Sequence, residues 1–291
     1  MIDIEHFPLF DGHAHFSQAF LDQGLASYKR CGVKAGIVIP QYPYLDFGEF
    51  LRELRRRKAT NWLPCYWPAW PNFGWRPDDF VQTLVKDMRR FHRLGCRGLK
   101  VWKDLGMHII HPNGKPASMD DRRLEPVWET VADLGWWISV HQGDPTARWT
   151  TRTGLTRDEI FRRRDRVIRK HPEIRFILCH NGNDIESVAK FGTLLDRFPN
   201  AMSDIGRDFL LHETLADTQA FIEKYANRLL FGPDTWLPDA RPPDLKWDWE
   251  EGYLPWRRRI VSWGLSEPAF RKFTWENGER FLADMTGCRN R

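Results

Sequence analysis

Arg175-Phe176-Ile177-Leu178-Cys179-His180 is a short apolar run that ends in a histidine. Its centre is continuously apolar, as expected of a strand covered on both faces. The segment before it, from about Arg157 to Lys170, spaces its apolar residues at helical intervals, and His171-Pro172 then breaks the helix. A residue preceding proline is pushed out of the helical region, so the break falls just ahead of the strand. Earlier still, Trp136 to His141 is another apolar run of strand length. A strand, a helix and a second strand in that order form the unit from which parallel sheets are built.

The same alternation extends in both directions. Toward the N-terminus the predicted strands are Leu9 to Phe16, Ala35 to Pro40, Trp62 to Tyr66 and Arg97 to Trp102. Their helices run from about Gln18 to Arg30, Phe47 to Lys58, Asp78 to Leu94 and Leu124 to Leu134. A Trp/Pro-rich loop separates the third strand from its helix. Toward the C-terminus the strands are Ala201 to Ile205 and Leu229 to Phe231, with helices from about Ile185 to Arg197 and Leu215 to Tyr225. Glu251 to Ala283 reads as two more helices. Glycine ends the helices at Cys31-Gly32, Leu94-Gly95 and Leu134-Gly135, where a left-handed cap is needed. Eight such units predict an α/β fold, a (β/α)₈ barrel, and about 250 residues suffice for one. An open doubly wound sheet would carry a glycine-rich phosphate loop after its first strand, and none is present. The expectation is one domain over residues 1–291, with a helical extension from about residue 250.

Composition narrows the function classes. The 291 residues are 42% hydrophobic and 29% charged, and the 15 tryptophans are the unusual feature. The 44 Lys and Arg against 39 Asp and Glu leave a net charge of +5. That excess suits an anionic substrate but is too dispersed for a nucleic-acid surface. The basic runs Arg55-Arg56-Arg57-Lys58, Arg162-Arg163-Arg164 and Arg257-Arg258-Arg259 read as solvated helix faces. The five cysteines are scattered and unpaired in pattern, which predicts free thiols in a reducing, cytoplasmic setting. No apolar run approaches the length of a membrane span or signal segment.

In this fold the chemistry sits at the C-terminal ends of the strands. Those ends supply Asp11-Gly12-His13-Ala14-His15, Lys100-Val101-Trp102-Lys103, His141-Gln142-Gly143-Asp144, His180-Asn181-Gly182-Asn183, Asp204-Ile205-Gly206-Arg207 and Gly232-Pro233-Asp234. His13 and His15 are two apart on a strand and so face the same way. With His141 and Asp234 they make three imidazoles and one carboxylate, a donor set suited to Zn²⁺, with Mn²⁺ or Fe²⁺ as alternatives. His180 is then placed to move a proton. Each residue alone also has a structural reading. A His-X-His pair is common, and an Asp after a strand is usually a cap or turn former. The combination at one rim carries more weight than its parts.

The pattern His13-Ala14-His15, His141, His180 and Asp234 resembles the amidohydrolase superfamily, over nearly the whole chain. The closer similarity is to its amidohydrolase-related branch, which contains metal-dependent hydrolases and enzymes like aminocarboxymuconate-semialdehyde decarboxylase. The runs Arg175 to Asn181 and Leu229-Leu230-Phe231-Gly232-Pro233-Asp234 are typical of it. The resemblance implies His13, His15, His141 and Asp234 as metal ligands and His180 as acid/base. Pro233 departs from the small polar residue usual before the Asp, and is expected to alter the turn without removing the ligand. Binuclear members use a carboxylated lysine after strand four, and Lys100 is near that place. The decarboxylase-like branch uses one metal and no such modification, and one ion is the expectation here.

The rim also suggests a small substrate, anionic or aromatic. Lys100, Lys103 and Arg207 are candidate anion contacts, and Trp102 a candidate wall, together with the loop from Trp67 to Trp75. Ion pairs with Asp104 or Asp208 and plain aromatic packing are the competing roles. The Pro/Trp-rich segment Trp236 to Trp256 reads as a lid or as a subunit contact in a homodimer. Two reactions fit the donor set. The first is hydrolysis of an amide, ester or lactone by metal-activated water, with His180 or Asp234 moving the proton. The other is non-oxidative decarboxylation of a small carboxylic acid.

Overall fold

The computed structural model describes residues 7–15, 21–40, 46–144, 149–183, 187–205, 214–236 and 249–287. The strands are β1 (Leu9–His15), β2 (Val33–Val38), β3 (Trp62–Tyr66), β4 (Gly98–Val101), β5 (Trp137–Val140), β6 (Arg175–Leu178), β7 (Ala201–Ile205), β8 (Leu229–Phe231) and the two-residue β9 (Thr235–Trp236). The helices are α1 (Leu21–Arg30), α2 (Phe47–Arg56), α3 (Pro71–Trp75), α4 (Pro77–Arg93), α5 (Glu125–Asp133), α6 (Arg157–Lys170), α7 (Val188–Arg197), α8 (Leu215–Tyr225), α9 (Trp249–Ser262), α10 (Glu267–Arg271) and α11 (Asn277–Thr286). The strand order is β8-β7-β6-β5-β4-β3-β2-β1-β9, so from β1 to β8 chain neighbours are sheet neighbours. The pairings from β1 through β7 are parallel, and β9 also runs parallel to β1. This is the (β/α)₈ barrel fold expected from the alternation.

Contacts divide the chain into two compact units, residues 1–64 with 204–291 and residues 65–203. In the first, Phe10, Ile37, Trp62, Leu230 and Phe273 are buried around β1. In the second, Met88, Leu99, Trp128, Trp137 and Phe176 fill the corresponding core. Gly98 shows how tightly that core closes. A Cβ there would lie 2.3 Å from the Trp137 ring, so the strand carrying Lys100 can approach the indole only as glycine.

Local chemistry sets the helix starts. Thr156 and Glu159 form a reciprocal capping box at α6, with the Thr156 N–H donating to Glu159 Oε2 at 2.8 Å and the Glu159 N–H to Thr156 Oγ1 at 3.3 Å. Asp46, Ser187 and Thr214 cap α2, α7 and α8. The helix expected from Gln18 is described from Leu21, and that expected from Ile185 from Val188. Gln18 and Ile185 lie outside the described residues.

Several details differ from the expectations of the sequence. The Trp/Pro loop after β3 contains the short helix α3, started by Pro71 in the first turn, where proline is tolerated. The tail forms α9 and then a run from Glu267 to Thr286, in which five residues, Lys272–Glu276, adopt π-helical bonding. Two of the basic runs are not wholly solvated. Arg164 and Arg257 are buried because each guanidinium is hydrogen-bonded within the protein. Arg164 donates to the Asp165 carboxylate and to Gly182 O, and Arg257 to Phe7 O and Cys31 O. Among the described residues no helix is long and apolar enough to cross a membrane.

Candidate metal centre and active site

β1 places His13 and His15 on one side of the strand, and both are almost fully buried. Each imidazole commits its Nδ1. His15 Nδ1 lies 2.7 Å from Ile39 O, a carbonyl that only accepts, so this nitrogen carries the proton. His13 Nδ1 lies 2.9 Å from Asp204 Oδ2, a buried carboxylate, which imposes the same tautomer. The Nε2 atoms are left with their lone pairs facing Asp234. Asp234 Oδ1 is 3.1 Å from His15 Nε2 and 3.8 Å from His13 Nε2. One ligand atom from each of the three residues can be chosen so that all lie within 4.8 Å of one another. Two imidazole lone pairs and a carboxylate directed at a common point are mutually repulsive, and a divalent cation relieves all three at once. The donor set therefore fits a metal.

Asp234 reaches this position through an unusual backbone. Its φ is 55°, in the left-handed region, directly after Pro233. The carboxylate faces the histidines. Gly232 makes the approach possible. A Cβ there would lie 2.8 Å from Asp204 Cβ and 3.2 Å from His13 Cβ. Behind His13, the Asp11 carboxylate is fully buried. Burial pushes its acid up to about 7, against the lowering effect of hydrogen bonds from Tyr253, the His13 N–H and Thr235.

The second unit holds the other two candidate histidines, His141 and His180. His141 follows β5, with its N–H donating to Val101 O at 2.9 Å. Its ring meets His180 edge-on at 5.2 Å and Trp102 at 4.3 Å, and Trp102 in turn packs on Trp67 at 4.8 Å. Burial pushes His141 down to about 3. Asp144 opposes the shift, and the neighbouring His180, Lys100 and Lys103 reinforce it. His141 is thus neutral at ordinary pH, the form that can donate to a metal.

His180 begins a left-handed turn. His180, Asn181, Gly182 and Asn183 have φ of 52°, 56°, 66° and 60°. Such a run is costly for L-residues. It is held from behind by Arg164, which donates to Gly182 O at 2.9 Å, and by Arg157, which donates to Asn183 O at 2.8 Å.

The predicted substrate contacts are arranged less simply. Lys100 is fully buried, and its Nζ lies 3.1 Å from Cys179 Sγ and 3.4 Å from Ser139 Oγ. Lys103 pairs with Asp144 at 2.7 Å, not with Asp104, and lies 5.5 Å from the Trp102 ring centroid. Trp70 is buried and donates to Lys100 O, so that part of the Trp-rich loop is structural. Trp149 packs against a cluster of Met107, Leu155, Ile160 and Phe161. Arg207 and its competing partner Asp208 lie outside the described residues, as does most of the segment after Trp236.

Asp204 stands among the strand ends in the sequence but receives no role there, because an Asp at such a place is ordinarily a turn former. Its place at the end of a strand is the available signal. The amidohydrolase family model matches residues 11–283, from Asp11 of β1 into the last helix, α11. The chain belongs to the amidohydrolase family. Solved structures with the same fold include three bacterial proteins. An uncharacterised TIM-barrel protein from Bordetella bronchiseptica is 16% identical, with 93% of this chain and 84% of that chain covered and a TM-score of 0.64. A putative 2-pyrone-4,6-dicarboxylic acid hydrolase from Pseudomonas putida is 16% identical, with 96% and 98% covered and a TM-score of 0.61. A 5-carboxyvanillate decarboxylase from Sphingomonas paucimobilis is 13% identical, with 94% and 98% covered and a TM-score of 0.59. No curated protein matches the chain significantly. Proteins of this fold include both hydrolases and decarboxylases, so the amidohydrolase scaffold leaves the reaction to the residues.

Proposed function

We propose that this amidohydrolase-family chain is a metal-dependent hydrolase of a small amide, ester or lactone. The observation that carries the reading is the convergence of His13 Nε2 and His15 Nε2 on Asp234 Oδ1, with both Nδ1 atoms already committed to Asp204 and Ile39. His141, kept neutral by burial, is the fourth ligand in this reading, on the strength of the sequence pattern. One divalent ion, Zn²⁺ ahead of Mn²⁺ or Fe²⁺ for so nitrogen-rich a donor set, supplies Lewis acidity and an acidified water.

The chain's own residues do the rest. Asp234 and His180 are assigned to proton transfer. Trp102, backed by Trp67, offers an aromatic wall. Lys100, Lys103 and Arg207 are the cations assigned to an anionic substrate. Lys103 must exchange its Asp144 partner to make that contact.

The second reading, decarboxylation of a small aromatic acid, is favoured by one feature. The row Trp67, Trp102, His141, His180, with Lys103 over the Trp102 ring, suits a planar carboxylate. Zn²⁺-loaded protein offered a panel of lactones and esters, and separately a panel of aromatic carboxylic acids, distinguishes the two. Hydrolysis without CO₂ release is the expected result. CO₂ release without hydrolysis would replace the first reading with the second. His13→Ala and Asp234→Ala are expected to lose the metal and bring turnover to background. Turnover near the wild-type level in chelated buffer would refute both readings.

A further inference from the structure

Behind the candidate metal ligands lies a polar network that neither reaction requires. Asp11, Tyr28, Thr235 and Tyr253 are all buried, with the Tyr28 ring packed on Trp62 and the Tyr253 ring on Phe231. Asp11 Oδ1 accepts the backbone N–H of His13 at 2.8 Å. Asp11 Oδ2 accepts the Tyr253 hydroxyl and, at 3.4 Å, the Thr235 hydroxyl. The Thr235 hydroxyl lies 2.9 Å from the Tyr28 hydroxyl and 3.3 Å from that of Tyr253. One carboxylate therefore touches the backbone of the ligand His13 and the residue next to the ligand Asp234. Those two segments are more than 200 positions apart in sequence.

Two features suggest that the network does more than fill space. Asp234 sits at φ 55°, a conformation that persists in a non-glycine residue only where its surroundings hold it. Its neighbour Thr235 is fixed twice, by the β9 ladder opposite Ala14 and by its hydroxyl. In addition, burying a carboxylate and three hydroxyls in an apolar core is costly unless every group is bonded. Apolar side chains would fill the same volume without that cost, but they could not tie the two segments to a common point.

We propose that Tyr253 and Thr235, acting through Asp11, are positioning residues that set the spacing of the metal ligands. On this view α9, which carries Tyr253, is part of the metal centre's support and not an appendage to the barrel. The proposal rests on the metal-binding reading above. Docking of α9 by itself is the alternative role, and the same helix supplies a control for it. Arg257 fastens α9 to Phe7 O at 2.8 Å and to Cys31 O at 2.6 Å, carbonyls that lie outside the network.

The test is Zn²⁺ affinity, measured on chelator-stripped full-length protein by competition with a chromophoric chelator. Tyr253→Phe and Thr235→Val each remove one hydroxyl and keep the shape. Both are expected to weaken Zn²⁺ binding about 10- to 100-fold, the usual effect of losing an outer-sphere partner. Arg257→Lys is expected to lower the melting temperature of the metal-free protein with wild-type Zn²⁺ affinity. Should Tyr253→Phe fail to fold, Thr235→Val decides alone. Wild-type affinity in the hydroxyl variants, with binding abolished in His13→Ala, overturns the positioning role and leaves the metal reading intact. No Zn²⁺ binding by the wild-type protein overturns the metal reading and this inference with it.

Discussion

At the scale of single residues, Asp204 has the most specific part to play. Its carboxylate accepts from His13 Nδ1, which fixes both the tautomer and the direction of the opposite nitrogen. Asp204→Asn keeps the volume, but its amide can present a donor to Nδ1 and turn the tautomer round. The expected result is Zn²⁺ affinity weaker by about 10- to 100-fold with little change in the melting temperature of the stripped protein, measured by chelator competition and thermal unfolding. His141 gives a second prediction, for the metal-free protein. Burial, and then its cationic neighbours, hold its pKa near 3, below the ordinary value of 6.5. A group whose folded pKa is depressed binds its proton more readily when unfolded, so stability falls as pH drops from about 6.5 toward 3. His141→Gln lacks that proton and should flatten the decline over this interval in urea unfolding at a series of pH values. An unchanged slope would show that His141 is not held neutral. The meeting of His13, His15 and Asp234 is legible because strand periodicity and strand ends are written in the sequence. The partners that orient them are not. His15 is held by the carbonyl of Ile39, which has no side-chain signature, and Tyr253 reaches Asp11 across 242 positions.

At the scale of elements, the turn after β6 sets its own terms. Four consecutive residues, His180 to Asn183, lie at positive φ, and Asn and Gly are the types that tolerate this best. The string His180-Asn181-Gly182-Asn183 is therefore a turn signature as much as a site signature. Apolar patterning extends the strand to His180, whereas β6 ends at Leu178 because the left-handed turn begins so soon after it. Asn183→Ala places a Cβ without a compensating local hydrogen bond in the left-handed region and should cost about 1–2 kcal/mol. Asn183→Gly should be close to neutral. Thermal unfolding of the two variants side by side provides the comparison, and equal losses would mean that the Asn side chain, not the backbone angle, is what matters there. The alternation of strands and helices is legible for a related reason. Glycine stops, prolines and capping residues mark where each element must end. α3 escapes because its five residues leave no helical period to detect. The π-helical step at Lys272–Glu276 has no sequence mark at all.

At the scale of the whole molecule, the test is what metal does to folding. The three residues that meet around one point, His13, His15 and Asp234, come from β1 and from the turn after β8, segments far apart in the chain. No local structure of the unfolded chain can bring them together, so a cation that needs all of them binds the folded state almost alone. Its binding energy then adds to stability by mass action, about 4 kcal/mol when free Zn²⁺ exceeds its dissociation constant a thousandfold. For a chain of this size each kcal/mol moves the midpoint by roughly 2–4 °C, so Zn²⁺ should raise the melting temperature of the stripped protein by about 10 °C. The shift should grow with the logarithm of free metal, and chelator should reverse it. His13→Ala separates this from a general salt effect, because it removes a ligand and should melt at the same temperature with and without Zn²⁺. If Zn²⁺ stabilised the variant as much as the wild type, the ion would be binding elsewhere. The convergence on Asp234 would then be a structural contact between β1 and the turn after β8, with no metal chemistry.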